Sequence, residues 1–409
     1  MPIKAPIPIL IKLCNIFMMS NIFDVIVIGN GLVAKIFAHD LSNQKPQLKI
    51  ALIDKVTTAS ISQQIYSNDP NNNFINSRIY AITPDNVAYL QSLNVWHDTS
   101  HNEIKHIIIN SFDSKQLTFD FNRSTGVNFL AKTMLVDVVN NNVTQLINNK
   151  ENIATIFDDI ESIEHLTTHQ VLISSKRQQY YTKLLIGADG VNSFVRKQAN
   201  IQNTMIDYHQ HGIIANFTCE LSHKNTAYQW FFANGDILAF LPLSTKQISI
   251  VYSATNAQSL LNMTDIAFTQ LIQTLSNNQL GLMQLISKIQ SFPLKMYLLN
   301  ELYSKNIALI GDAAHTIHPL AGQGINLGFA DARCLVNLLA QAKSYQLANS
   351  AILSKYNYLR IFQIKQTQYF CHMVKYMFND SNIINKPRQI VLNIINNFTP
   401  IKNFINPLR

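Results

Sequence analysis

Glycine is scarce in this chain and concentrated in three places, and that distribution constrains the fold more than any other feature. The 409 residues include 12 glycines, about 3% where ~7% is usual. Gly29 and Gly31, then Gly187 and Gly190, then Gly311, Gly322, Gly324 and Gly328 fall in three short windows. Backbone stripped of side chains at three separate points is backbone that a ligand must approach closely.

The first window reads Phe23-Asp24-Val25-Ile26-Val27-Ile28-Gly29-Asn30-Gly31-Leu32-Val33-Ala34, followed by a helical stretch to about Asn43 and a second apolar run ending at Asp54. This is strand, G-x-G-x-x-A turn, helix, strand, acid. Gly29 permits the tight turn, Gly31 lets a pyrophosphate reach the helix N-terminus, and Ala34 is small enough for the helix to pack on the strand. Asp54 ends the second strand, where a carboxylate can bind ribose hydroxyls. A tight turn without a nucleotide is the competing reading, and the complete context argues against it.

In the second window, Leu184 to Ser193, a strand ends at Gly187, and Ser193 and Arg196 follow on a helix. Alone, Ala188-Asp189-Gly190 could be an ordinary turn. In the third, Ile307 to Asp331, a buried strand delivers Gly311 and Asp312 to its C-terminal end, where the carboxylate can accept hydrogen bonds from a ribityl chain. After a loop fixed by Pro319, Gly322 to Gly324 open a helix whose free amides and dipole suit developing negative charge. Two helix N-termini are thus on offer, one for a pyrophosphate and one for another group that becomes anionic, such as reduced flavin.

Charge excludes some classes. The formal net charge is +8 and charged residues make up 14% of the chain, but no run of like charges occurs and nucleic-acid binding is not indicated. A dispersed positive charge suits an anionic cofactor or an anionic membrane surface. Cys14, Cys219, Cys334 and Cys371 are far apart, as for reduced thiols in a cytosolic protein. His315 and His318 have no third ligand at matching spacing, so no metal is expected. No apolar run reaches the ~18 to 20 residues of a membrane span. Residues 1–21 read as an N-terminal extension, with Met18 and Met19 just before the first strand.

Strand and helix patterns alternate over residues 22–84, 127–200 and 300–340, the expected nucleotide-binding layer of an α/β fold. Residues 85–126 and 201–299 read as a β-rich substrate domain, with Tyr228–Phe232, Ile237–Leu243 and Gln247–Tyr252 as strands and their aromatics as core. Residues 341–409 read as helical and basic, and Ile390, Val391, Ile394, Ile395 and Phe398 recur at helical spacing.

The three windows, in this order, resemble the flavoprotein aromatic hydroxylases typified by para-hydroxybenzoate hydroxylase. More narrowly, His318-Pro319-Leu320-Ala321-Gly322-Gln323-Gly324 with Asn326, Gly328 and Asp331 is similar to the signature of the ubiquinone-biosynthesis ring hydroxylases. So are Arg78-Ile79-Tyr80-Ala81-Ile82-Thr83 and Leu93-Asn94-Val95-Trp96. Asn94 departs from a usual Gly, and Arg360-Ile361-Phe362-Gln363-Ile364 stands where Arg-Arg-x-x-Asn is common. The resemblance runs from about residue 22 to 375.

It implies a Rossmann-like FAD-binding domain interleaved with a β-sheet substrate domain, plus C-terminal helices. Gly29, Gly31, Ala34 and Asp54 would hold the ADP half of a noncovalent FAD, with Arg78 near the pyrophosphate. Asp189 and Gly190 would border the FAD and the reductant path. Gly311 and Asp312 would meet the ribityl chain, with Asn326 also on the cofactor side. Pro319, Gly322, Gln323 and Gly324 would frame the flavin ring as the catalytic set. The implied activity is NAD(P)H- and O2-dependent hydroxylation of a polyprenylated phenol, by a cytoplasmic protein touching the inner face of the membrane and other ubiquinone-biosynthesis enzymes. A non-catalytic flavin-binding assembly subunit and a flavin-dependent prenyl reductase are the alternatives.

Overall fold

The structure is a computed structural model that describes residues 21–55, 78–97, 102–111, 116–121, 127–167, 170–318 and 323–377. The chain opens with β1 (Ile22–Ile28), α1 (Leu32–Gln44) and β2 (Ile50–Asp54), then β3 (Ile79–Ile82) and α2 (Pro84–Ser92). Short strands β4 (Glu103–Ile104), β5 (His106–Ser111) and β6 (Gln116–Asp120) lead to β7 (Ala131–Leu135) and α3 (Val136–Asn148). There follow β8 (Ile153–Phe157), β9 (Ile160–Thr167), β10 (Gln170–Ser175), β11 (Gln179–Gly187) and a five-residue α4 (Phe194–Gln198). The β-rich half comprises β12 (Asn203–Cys219), β13 (Thr226–Phe231), β14 (Ile237–Ser244), β15 (Gln247–Ala254), α5 (Ala257–Leu261), α6 (Asp265–Leu275), β16 (Met283–Leu285) and β17 (Gln290–Leu299). The chain then runs through β18 (Tyr303–Ser304), β19 (Ile307–Leu309), α7 (Gln323–Ala340) and α8 (Ser350–Met377).

The first sheet has the path β18-β19-β11-β1-β2-β8, with β10 and β9 attached through β11. Its central strands are parallel. Val25, Ile26 and Val27 are fully buried, because a parallel sheet covered on both faces needs apolar side chains pointing both ways. Helix α7 comes close enough to α1 that a Cβ on Gly328 would stand 2.8 Å from Val33 and 3.3 Å from the Gly311 backbone. Ala34, 1% exposed, keeps the same layer thin.

The second sheet runs β16-β12-β15-β14-β13-β5-β6, with β17 also on β12. Its aromatic stripe is core. Trp230 meets Phe240 edge to face at 4.7 Å and Tyr228 in a stack at 5.7 Å, while α6 covers the far face through Phe268 against Phe217. A third, small sheet, β3-β7-β4, joins the Arg78 segment to residues on both sides of the β5–β6 hairpin. Thus β4 pairs with the α/β part while β5 and β6 extend the second sheet. Helix α2, which follows the small sheet's first strand, lies against α7.

One buried cluster ties the helices down. Asp331 on α7 is 0% exposed. Its Oδ2 accepts from the Gly311 amide at 3.1 Å and from His315 Nε2 at 2.6 Å, and its Oδ1 from Arg360 Nε of α8 at 2.8 Å. Burial alone would raise the pKa of this carboxylate, yet His315 and Arg360 hold it below the ordinary value. The Arg360 guanidinium also reaches the Leu327 carbonyl and Gln363. The segment that departs from Arg-Arg-x-x-Asn thus keeps its first arginine for the core. Asn94, the other departure, has φ 57°, a left-handed conformation that asparagine tolerates better than most residues with a Cβ.

Asp331→Ala would leave the Arg360 charge buried without a counter-ion, a loss on the order of 3–5 kcal/mol, measured by denaturant unfolding. A carboxylate with a lowered folded pKa stabilises above its unfolded pKa and loses that contribution as pH falls through the folded value. The gap between wild type and variant should therefore close on acidification. A gap that stays constant down to strongly acidic pH would contradict this account.

Candidate active site

Parallel pairing brings the three glycine windows together. Ile28 lies opposite Gly187, and Gly187 opposite Leu309, so Gly29, Ala188 and Ile310 leave neighbouring strands at their C-terminal ends, the edge where open α/β sheets take ligands. Gly29 has φ +111°, and a Cβ there would lie 2.3 Å from the Ala188 carbonyl oxygen. Gly31 is different: its Cβ would meet nothing within 4 Å. Gly190, at φ +81°, faces open space as well. Helix α1 begins directly after Gly31 with no side-chain cap and no acid in its first turn, leaving its first amides for an anion. Asn30 Oδ1, in the same turn, is buried without a partner. These features fit the pyrophosphate of a dinucleotide.

Asp54 stands at the end of β2, partly buried, with Oδ1 accepting from the Lys55 amide at 2.8 Å. Sequence reasoning missed its neighbour Lys35. This ammonium is buried on α1, donates to Asn140 Oδ1 at 3.0 Å and Thr144 Oγ1 at 2.9 Å, and has its pKa lowered to about 8 by burial against the pull of Asp54. A lysine at a helix position that faces the core was the available signal.

Asp312 is open to water yet crowded by protein, the condition of a carboxylate in a deep cleft. Desolvation raises its pKa, and His315 and Arg78 oppose the rise. Arg78 also hydrogen-bonds Tyr80, whose pKa burial and Asp312 both raise. Its guanidinium lies 5.6 Å from the Phe292 ring centroid of β17. Arg78 thus joins the small sheet, the third window and the β-rich half.

Two residues expected beside the cofactor have partners within the protein. Asp189 accepts from Ser193 Oγ at 2.5 Å and from the Phe194 and Val195 amides at 2.6 and 3.1 Å, so it caps α4. Asn326 accepts from the Thr83 amide at 3.0 Å and Asn86 Nδ2 at 3.0 Å and donates to the Ala81 carbonyl at 2.8 Å, which locks α7 to the Arg78–Thr83 segment. Pro319 and Gly322 lie outside the described residues. Gln323 and Gly324 begin α7. Gln323 is 6% exposed and, with Asn86, Arg360 and His372, lines a cavity of about 1020 Å³ walled by α2, α7 and α8. Arg196, on α4, is buried over Tyr297 and donates to the Ala313 and Val191 carbonyls, each at 2.8 Å, clamping the second window to the third. Among the described residues no group of three or more His, Cys, Asp or Glu is placed to hold a metal.

The family described as FAD binding domain matches residues 97–367, well over half of the chain. The chain belongs to that family. Its curated relatives include the ubiquinone biosynthesis monooxygenase COQ6 of Dictyostelium discoideum, 26% identical over 94% of this chain and 90% of that protein. The ubiquinone hydroxylase UbiM of Neisseria meningitidis is 25% identical over 99% of this chain and 88% of its own length. Among solved structures, PqsL, a probable FAD-dependent monooxygenase from Pseudomonas aeruginosa, superposes with a TM-score of 0.74 at 16% identity, covering 91% of this chain and 99% of that one. The p-nitrophenol 4-monooxygenase PnpA from Pseudomonas putida does so with a TM-score of 0.74 at 14% identity, covering 95% and 98%. The fold is therefore that of the flavoprotein monooxygenases, and this member of the FAD binding domain family is an FAD-dependent monooxygenase.

The two turn glycines should fail differently. Gly29→Ala puts a Cβ into backbone and forces a strained φ, so it should destabilise the apoprotein by roughly 3 kcal/mol or more. Gly31→Val should cost the fold only about 1 kcal/mol as a poorer N-cap while abolishing FAD binding, read from apoprotein unfolding and flavin absorbance. A fully yellow Gly31→Val protein would refute the pyrophosphate assignment. Asp312→Ala should weaken FAD binding by ~1.5 to 3 kcal/mol through lost charged hydrogen bonds, and calorimetric titration showing unchanged affinity would remove its role.

Proposed function

We propose that this chain hydroxylates the aromatic ring of a polyprenylated phenol in ubiquinone biosynthesis, taking electrons from NAD(P)H and one oxygen atom from O2. The observation that carries this reading is that relatives named as ubiquinone hydroxylases align along nearly the full length of both chains. FAD supplies the redox chemistry and the activated oxygen. The chain's own residues bind and orient: Gly29 to Gly31 and the α1 N-terminus take the pyrophosphate, Asp54 the ribose, Asp312 the ribityl hydroxyls. The start of α7, Gln323 and Gly324, presents amides to negative charge developing on the ring. The second sheet covers the cleft and excludes water, and Arg78 spans the two halves. A flavin-binding assembly subunit would have no use for the ring-side start of α7 at Gln323 and Gly324, and a prenyl reductase would not be expected to carry the full signature from His318 to Asp331.

Helix α8 suits delivery of a substrate too apolar to diffuse through water. Its 28 residues include Lys355 and Lys365 and no acid. Tyr358, Phe362 and Tyr369 are 77%, 71% and 57% exposed at spacings that share one helical face. The apolar positions Ile390 to Phe398 lie outside the described residues. No described helix is long and apolar enough to cross a membrane, so we read this as peripheral contact from the cytoplasm, several basic groups contributing about 1 kcal/mol each near an anionic leaflet.

Stopped-flow reduction of the holoenzyme by NADPH should accelerate when 2-farnesylphenol is present, and mass spectrometry should find a product one oxygen atom heavier. NADPH oxidation that yields only hydrogen peroxide with every prenylphenol would defeat the proposed substrate class. In liposome flotation, wild type should rise with anionic vesicles at low salt, and Tyr358→Ser/Phe362→Ser/Tyr369→Ser should remain at the bottom. If wild type also stays there, α8 is not a membrane contact.

A further inference from the structure

His318 stands one residue before Pro319, where the third window turns towards α7. Its side chain is 1% exposed, and among the described residues neither Nδ1 nor Nε2 has a hydrogen-bond partner. Buried polar atoms are nearly always paired, so two orphaned nitrogens on one ring call for an explanation.

The surroundings do not supply the missing partners. Tyr208 of β12 meets the imidazole edge to face at 5.0 Å, but its hydroxyl is engaged with His372 Nδ1 at 3.2 Å and Met296 Sδ at 3.5 Å. Lys375 of α8 sits 4.0 Å from the Tyr208 ring centroid and donates to Gln210 Oε1 at 2.6 Å. Burial first, and Lys375 second, push the His318 pKa down to about 3. The ring is therefore neutral and offers one N–H donor and one acceptor nitrogen.

Three further buried atoms without partners among the described residues lie on or beside the same segment, His315 Nδ1 within it and two that reach it from neighbouring helices. Arg196 Nε and Gln368 Oε1 are orphaned, although Arg196 Nη1 holds the Ala313 carbonyl at 2.8 Å and Gln368 Nε2 holds the Thr316 carbonyl at 3.2 Å. Three side chains from α4, α8 and the third window thus surround residues 313–318 with hydrogen-bonding capacity that the protein does not use. Tyr208 and Met296 belong to β12 and β17, so His318 borders the β-rich half, which covers the cleft.

We infer that His318 is a specificity-determining residue that accepts the O–H of the substrate phenol at one ring nitrogen and donates its own N–H to an oxygen of the same ligand. This rests on the proposed ring hydroxylation of a phenol. A neutral imidazole matches a hydroxyl, which both donates and accepts. It matches a carboxylate less well, because a carboxylate has only acceptors to set against the acceptor nitrogen.

The test uses the FAD-loaded enzyme and two probes, 2-farnesylphenol and farnesylbenzene, which differ by the hydroxyl alone. Binding is read from the perturbation of the flavin spectrum. Wild type should prefer the phenol by about tenfold or more, since a site built for a hydroxyl rejects the analogue lacking it. His318→Leu should bind both probes alike at unchanged FAD affinity, and His318→Asn, which keeps a donor and an acceptor, should recover part of the preference. Should His318→Leu fail to fold, His318→Phe retains the ring volume and takes its place. A phenol preference that survives in the apolar variant overturns the role of His318 and leaves ring hydroxylation standing. A wild type that binds neither probe and turns neither over overturns both.

Discussion

The approach of Gly29 to the Ala188 carbonyl is the constraint on which the rest of the site depends. Strands β1 and β11 are parallel neighbours, and their ends can stay in register through the turn only if the residue at position 29 has no side chain and a positive φ. With that contact made, the pyrophosphate turn and the Asp189 turn share one edge, and β19 adds the Asp312 turn beside them. Three strands hydrogen-bonded in parallel accomplish what three separate loops could not, since loops carry no rigid register.

The helices are held to that edge by polar groups in the interior. Asp331 bonds the Gly311 amide, His315 and Arg360 at once, so the third window, α7 and α8 form one mechanical unit. Asn326 does the same between α7 and the Arg78 segment, and Arg196 between the second and third windows. Such networks are costly when incomplete and specific when satisfied. They explain why so many polar residues of the signature face protein rather than ligand.

That division also accounts for what could be read in the sequence. The glycine turns, and the standing of Asp54 and Asp312 at strand ends, are legible because turn chemistry and strand ends are local properties. Asp189 and Asn326 carry protein contacts that the sequence does not show, because a polar residue beside a glycine turn can serve a ligand or a cap equally well. Those protein partners lie five residues away for Asp189 and more than 240 away for Asn326. The Asp331–Arg360 pair joins two helices whose facing sides no single-helix periodicity specifies. Lys35 and Asn30 sat inside the first window and were overlooked because its motif is written in glycines.

The polar atoms without partners are informative for the same reason. Among the described residues some, such as His39 Nδ1 and His165 Nδ1, lie elsewhere, but Asn30 Oδ1 lies in the pyrophosphate turn, while His315 Nδ1, both His318 nitrogens, Arg196 Nε and Gln368 Oε1 lie on or around the segment after Asp312. The first belongs to the pyrophosphate end of the proposed flavin site, and the others border the place inferred for the substrate phenol. Unsatisfied hydrogen-bonding capacity in these two places falls where the proposed cofactor and the inferred substrate would each meet the protein.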